Sequence, residues 1–124
     1  MAGRVSVIVN PAAGRGRGQR VLPSVRAAFA AHGITDVRLS ASREDERTLA
    51  THAIDDGATT IVAVGGDGTW SNVANAILHA GAETACRLAL IGAGTGNDFA
   101  KSVGAPARDV ERTARLVVEG GDRI

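Results

Sequence analysis

Gly65-Gly66-Asp67-Gly68-Thr69 sets one carboxylate among glycines and a hydroxyl, and its neighbours make that arrangement useful. An apolar run, Ile61-Val62-Ala63-Val64, comes before it. A helix-like pattern from Trp70 to Ala80 follows, with Val73, Ala74, Ile77 and Leu78 on one stripe. The order is buried strand, glycine turn, helix. Glycines let the backbone approach a ligand closely, and the unbonded N–H groups that open a helix face an anion. A carboxylate in such a turn repels a phosphate unless a metal ion or a proton-transfer role compensates. The turn therefore points to metal-assisted chemistry on a phosphate, with Asp67 as the candidate catalytic residue.

Two other glycine-rich segments bear on the same chemistry. Gly94-Thr95-Gly96-Asn97-Asp98 follows the apolar run Leu88-Ala89-Leu90-Ile91 and leads into a short helix expected over Asp98 to Ser102. Alone, Asn97 or Asp98 could be a helix cap; beside the Asp67 turn, a ligand role is the stronger reading. Gly14-Arg15-Gly16-Arg17-Gly18 has GxGxG spacing, not the GxGxxG of dinucleotide folds, and no GxxxxGK[ST] loop is present. Ser40, not an acid, stands at the end of the second expected strand. Arg15, Arg17 and Arg20 favour phosphate contact by this loop; a solvated surface turn is the alternative. His32, His52 and His79 fall on different helices and offer no metal-ligand pair, so no residue is assigned to a metal.

These residues need elements to hold them. Strands are expected at Val5–Val9, Val37–Leu39, Ile61–Val64 and Leu88–Ile91. Ala12 to Gly18 reads as a loop. The helix after it has Val21, Leu22, Val25, Ala28 and Phe29 on one face, Pro23 in its first turn, and Gly33 at its end. Ser42 caps the next helix with Asp45 in its first turn, a stripe of Leu49, Ala50, Ala53 and Ile54, and Gly57 at its close. A last helix covers about Asp109 to Val118, and Gly120-Gly121-Asp122-Arg123-Ile124 reads as a turn entering another strand. Strands alternating with helices imply a doubly wound, mostly parallel sheet in a three-layer α/β sandwich. Ligands of such sheets sit at the carboxyl ends of the strands, where Asn10, Ser40, Gly65–Thr69 and Gly92–Asn97 all fall.

Composition narrows the class. A chain of 124 residues that is 44% hydrophobic suits one domain, and with 2% aromatics and no Tyr its core must be Ala, Val, Leu and Ile. A net charge of +1 argues against nucleic acid as a partner. The single Cys86 excludes an internal disulfide and is read as a small buried hydrophobe; Trp70 is expected to pack on a neighbouring helix or domain surface. No apolar run reaches ~18 residues and no signal-peptide core stands at the N-terminus, which points to the cytoplasm.

Three blocks carry a resemblance to the N-terminal nucleotide-binding domain of the diacylglycerol kinase catalytic family, which includes bacterial lipid kinases and sphingosine kinases. Asn10-Pro11-Ala12-Ala13-Gly14 resembles the family's Asn-Pro-x-(Ser/Ala)-Gly. Gly65–Thr69 with Val73 and Asn75 is similar to its GGDGT-x-x-x-V-x-N block. Gly94-Thr95-Gly96-Asn97-Asp98-Phe99-Ala100 matches GTGNDFA outright. GGDG alone is shared with NAD kinases and loosely with phosphofructokinases; GTGNDFA is far more specific. The spacing fits along essentially the whole chain, as one domain over residues 1–124.

The resemblance implies an ATP-dependent lipid kinase. Asn10, Ser40, Gly65, Gly66, Gly68, Thr69, Ser71, Gly94 and Thr95 would contact nucleotide. Asp67 falls on the family's acid, assigned to activating the lipid hydroxyl or organising Mg²⁺, and Asp98 lies near the lipid head-group site. The implied partners are ATP and a lipid alcohol such as diacylglycerol, with peripheral membrane contact and a homo-oligomer both allowed. The family's β-rich second domain is absent from this chain, so a fragment, inactive in isolation, is expected. The chain departs from the family in places: Ser71-Asn72 replace a usual Asn-Glu, Gly92-Ala93 stand where a Pro is common, Ser40 replaces Thr, and Glu44 and Glu46 replace Gly and Ala. Two other readings are a degenerate nucleotide-binding regulatory module, for which Ser71-Asn72 is the warning sign, and an NAD kinase-like enzyme, against which GTGNDFA argues.

Overall fold

Continuous apolar runs mark strands buried on both faces, and the centre of the sheet is built from two of them. In a computed structural model describing residues 4–81, 85–92 and 105–119, β1 (Arg4–Val9), β2 (Val37–Leu39), β3 (Ala58–Gly65) and β4 (Arg87–Gly92) pair in the order β2-β1-β3-β4. Every pairing is parallel, with Val9 opposite Val64 and Val64 opposite Ile91. The four expected strands are thus all present, each within three residues of its expected ends, and the α/β class with a parallel sheet stands.

Alternate side chains along these strands serve two cores. On one face Val5, Val7, Val9, Val62, Val64, Ala89 and Ile91 meet α1 (Ala13–Ala30) through Val21, Val25 and Phe29. They also meet α4 (Ala105–Val118) through Val110, Ala114 and Val117. On the other face Ile8, Ile61 and Ala63 meet Ala50 and Ala53 of α2 (Arg43–Asp55) and Val73, Ala76 and Ile77 of α3 (Asp67–His79). Cys86 joins this second core and Trp70 packs against it, as expected. The result is helix, sheet, helix in three layers.

Local chemistry sets the helix ends. The Asp45 N–H bonds Ser42 Oγ at 3.3 Å, and Asp45 Oδ2 accepts the Ala41 N–H at 2.9 Å, so cap and first turn hold each other. Gly33 and Gly57, at φ 79° and 97°, close α1 and α2 as expected.

Four details depart from the sequence reading. The loop expected over Ala12 to Gly18 is shorter: Gly14, Arg15 and Gly16 are non-helical and kink the start of α1, and Arg17 and Gly18 already belong to the helix. Pro23 lies inside α1, not in its first turn. Proline gives no N–H to the carbonyl one turn earlier, and both Pro23 and Gln19 are exposed, where water can replace that bond. On α3, Leu78 is 56% exposed and the buried face is Thr69, Val73, Ala76 and Ile77. α3 lies against both the sheet and α2, which turns Ala76 inward and Leu78 out. α4 begins one turn earlier than expected. The helix expected over Asp98 to Ser102 lies outside the described residues.

A polar staple holds the amino end of the sheet. Ser6, fully buried on β1, donates to Asp36 Oδ2 at 2.6 Å. Arg38 grips the same carboxylate through Nε at 2.8 Å and Nη2 at 3.1 Å, and reaches Asp56 at 2.9 Å. The Arg38 hydrogen bond holds the Asp36 carboxyl below its ordinary pKa, against the opposing cost of burial; the Ser6 bond helps. A carboxyl with a depressed folded-state pKa stabilises the fold above the ordinary carboxylate range. That contribution disappears as pH falls through the folded-state value. Asp36→Asn is therefore expected to cost about 1–3 kcal/mol at neutral pH and to flatten the acid limb of stability. Urea denaturation at neutral and acid pH checks both; an unchanged acid limb would remove Asp36 from the account.

Candidate functional site

The strand order reverses direction between β1 and β3. α1 leaves β1 toward one face and α3 leaves β3 toward the other, which opens a crevice at the carboxyl ends of the central strands. The Asn10 N–H donates to the Val64 carbonyl at 3.0 Å, so the ladder runs to the crevice floor.

Asn10 spans this crevice with both ends of its carboxamide. Its Oδ1 accepts the Ala12 N–H at 3.1 Å, and its Nδ2 donates to Thr69 Oγ1 at 3.3 Å. The chain then turns through Gly14, Arg15 and Gly16, all with positive φ. Arg15 at φ 59° occupies a conformation that L-residues avoid, and such strain concentrates at binding loops. Gly18 is buried where α1 meets this loop: a Cβ there would overlap the Asn10 carbonyl oxygen and lie 2.9 Å from the Asn10 carbonyl carbon. The approach lets the Gln19 N–H bond the Pro11 carbonyl at 2.9 Å.

The glycine turn supplies the opposite wall. A Cβ on Gly65 would stand 2.5 Å from Thr69 Oγ1, so glycine here lets Thr69 fold back beneath the turn. Gly66 caps α3, and the Trp70 N–H makes the first intrahelical bond, to the Gly66 carbonyl at 3.1 Å. The N–H groups of Asp67, Gly68 and Thr69 precede that bond and have no intrahelical acceptor. Asp67 and Gly68 are exposed, and a Cβ on Gly68 would meet nothing within 4 Å. The first turn of α3 therefore presents open donors, the positive end of a helix dipole and one exposed carboxylate to the same space.

Below that surface lies a buried network. Thr69, 3% exposed, donates its hydroxyl to Glu46 Oε2 at 2.7 Å, and Asn72 Nδ2 donates to Glu46 Oε1 at 2.8 Å. Glu46 is 1% exposed. The sequence marked Glu46 only as a departure from the family's usual residue, and its contact with Thr69 was missed. The signal was its spacing: positions 46, 50 and 53 recur on one helical face, and Ala50 and Ala53 are fully buried.

The structure brings Asn10, Gly65, Gly66, Asp67, Gly68 and Thr69 together. Ser40 lies one strand further out, buried, its hydroxyl directed at the Val9 carbonyl at 3.4 Å. Ser71 is exposed on α3. Gly94, Thr95 and Asp98 lie outside the described residues. Among the described residues no three His, Cys, Asp or Glu side chains group as a metal site, and no helix is long and apolar enough to cross a membrane. A cleft of about 510 Å³, lined by Ser24, Ala27 and Ala28 of α1, by Ala31 and His32 just after it, and by Glu111 and Arg115 of α4, lies away from these strand ends.

The Diacylglycerol kinase catalytic domain family matches residues 4–123, nearly the whole chain. The chain belongs to this family. A protein named "Diacylglycerol kinase" from Mycobacterium tuberculosis is 31% identical over 119 residues, covering 95% of this chain and 37% of that protein. A "Probable lipid kinase YegS-like" protein of Cronobacter sakazakii is 39% identical over 85 residues, 68% of this chain and 28% of that protein. The chain thus spans well under half the length of these relatives. A crystal structure of a diacylglycerol kinase from Bacillus anthracis superposes with a TM-score of 0.65 at 28% identity, covering 94% of this chain and 42% of that one. The family expected from the three motif blocks is the family found.

Proposed function

We propose that this chain is the nucleotide-binding half of an ATP-dependent lipid kinase that phosphorylates the hydroxyl of a lipid such as diacylglycerol. The observation that carries the reading is the crevice between Asn10 and the Gly65–Thr69 turn, where open N–H groups and the Asp67 carboxylate share one exposed surface. Phosphoryl transfer demands positioning and charge neutralisation more than covalent chemistry. Backbone N–H groups of the turn would bind phosphate oxygens, with Arg15 in the left-handed step and Arg17 just after it adding positive charge. Asp67 would accept the proton of the lipid hydroxyl as that oxygen bonds the γ-phosphorus, the bond to the β-phosphate oxygen breaks, and ADP leaves. Mg²⁺ fits this donor set, since it binds through one or two carboxylates together with substrate phosphates, and Asp67 would be the residue to hold it. Ser40, Ser71, Gly94 and Thr95 are proposed as further nucleotide contacts and Asp98 as a head-group contact. The same proposal includes a second domain closing over this edge and a peripheral approach to the membrane that carries the lipid. Transfer of label from γ-labelled ATP by the full-length protein, offered diacylglycerol, sphingosine and NAD side by side, tests it.

A further inference from the structure

A glutamate 1% exposed in a small domain needs a reason, because a buried carboxylate is costly unless both oxygens are satisfied. Glu46 is satisfied by two residues of one helix turn: Thr69 Oγ1 at 2.7 Å and Asn72 Nδ2 at 2.8 Å. Both belong to the start of α3, where the positive end of the helix dipole favours an acid. A threonine hydroxyl has one proton. Thr69 spends it on Glu46, which leaves Thr69 Oγ1 facing Asn10 as an acceptor. That choice orients the Asn10 carboxamide: Nδ2 turns across the crevice and Oδ1 turns onto the Ala12 N–H. Without the Glu46 acceptor, the Thr69 proton could point at Asn10 instead. The amide would then flip, and the Ala12 N–H would lose its partner.

We propose that Glu46 is a positioning residue: a carboxylate delivered from α2 that sets the direction of the Thr69–Asn10 bridge and so fixes the two walls of the crevice for nucleotide. The inference rests on reading that crevice as the nucleotide site. Position 72 lies three residues after Thr69 on the same face of α3 and already reaches the Glu46 carboxylate. A carboxylate moved there can accept the Thr69 hydroxyl in its place.

The test uses the full-length protein, with Mg-ATP affinity read by calorimetry and KM for ATP and lipid read separately. Glu46→Ala is expected to weaken Mg-ATP by about 10-fold, the scale of one lost hydrogen bond to a charged group, and to leave KM for the lipid unchanged. Glu46→Ala combined with Asn72→Glu is expected to return affinity to within about 3-fold of the starting protein, a residual within the usual context dependence of such a bond. Unchanged ATP affinity in Glu46→Ala overturns the proposal, as does an equal rise in both KM values. Should Glu46→Ala fail to fold, the double variant decides: folded with restored affinity supports the proposal, and unfolded or still weak overturns it. A starting protein that binds no Mg-ATP overturns the nucleotide reading and this proposal together, whereas binding indifferent to Glu46 overturns this proposal alone.

Discussion

Asp67→Asn is expected to lower lipid phosphorylation by the full-length protein at least ~100-fold, the low end of a general-base contribution. Asparagine keeps the shape and much of the polarity of aspartate but takes up no proton at neutral pH. Asp67 is exposed at the start of α3, so its removal leaves no buried group unpaired. Folding stability should shift by no more than about 0.5–1 kcal/mol, the surface and helix-dipole range. Removing the carboxylate relieves its repulsion of bound phosphates and also takes away a Mg²⁺ ligand; the two effects oppose each other, so affinity for Mg-ATP should change far less than kcat. The expected signature is thus a collapse of kcat in a folded protein that still binds ATP. Wild-type turnover in the variant would take the base role away from Asp67.

Gly18→Ala gives the largest expected effect on the fold. Gly18 lies within a helical element without a positive φ, where alanine would ordinarily be better than glycine by up to about 1 kcal/mol. The packing reverses that sign. The new methyl group would overlap the Asn10 carbonyl oxygen and come within 3.1 Å of the Pro11 Cα, all rigid backbone. Relief requires α1 to lift from the Asn10-Pro11 loop, which strains the Gln19-to-Pro11 hydrogen bond. A net loss of about 3 kcal/mol is expected, the upper part of the overpacking range. Asn10 would move with its carbonyl, so nucleotide affinity should fall as well. Denaturant melts of the two proteins measure the first effect; a variant as stable as its parent would mean that α1 does not seat on Asn10 as described.

Much of this was legible in the sequence for physical reasons that can be named. β1 and β3 read directly because strands buried on both faces leave near-continuous apolar runs, broken in β1 only by Ser6. The Gly65–Thr69 turn read directly because strand, glycines and helix follow one another without a gap. The edge strand Val37–Leu39 was short but bounded, and it fell where expected. The spacing of positions 46, 50 and 53 marks Glu46 as inward-facing, but its partners were not legible. An acid in the first turn of a helix already has a sufficient local explanation in the dipole, and its partners lie 23 and 26 residues away on another element. Leu78 was misplaced for a related reason: helical periodicity gives a stripe, but α3 faces two surfaces, and only tertiary packing decides which flank is covered. The left-handed step at Arg15 was hidden because its neighbouring glycines explain a flexible loop equally well.

The most direct test of the central claim is transfer of label from γ-labelled Mg-ATP by the full-length protein to diacylglycerol presented in mixed micelles. Labelled lipid phosphate is expected in the organic phase, dependent on Asp67 and on the Asn10–Thr69 crevice. Label appearing on NAD, or Mg-ATP binding with no transfer to any lipid alcohol, would contradict it.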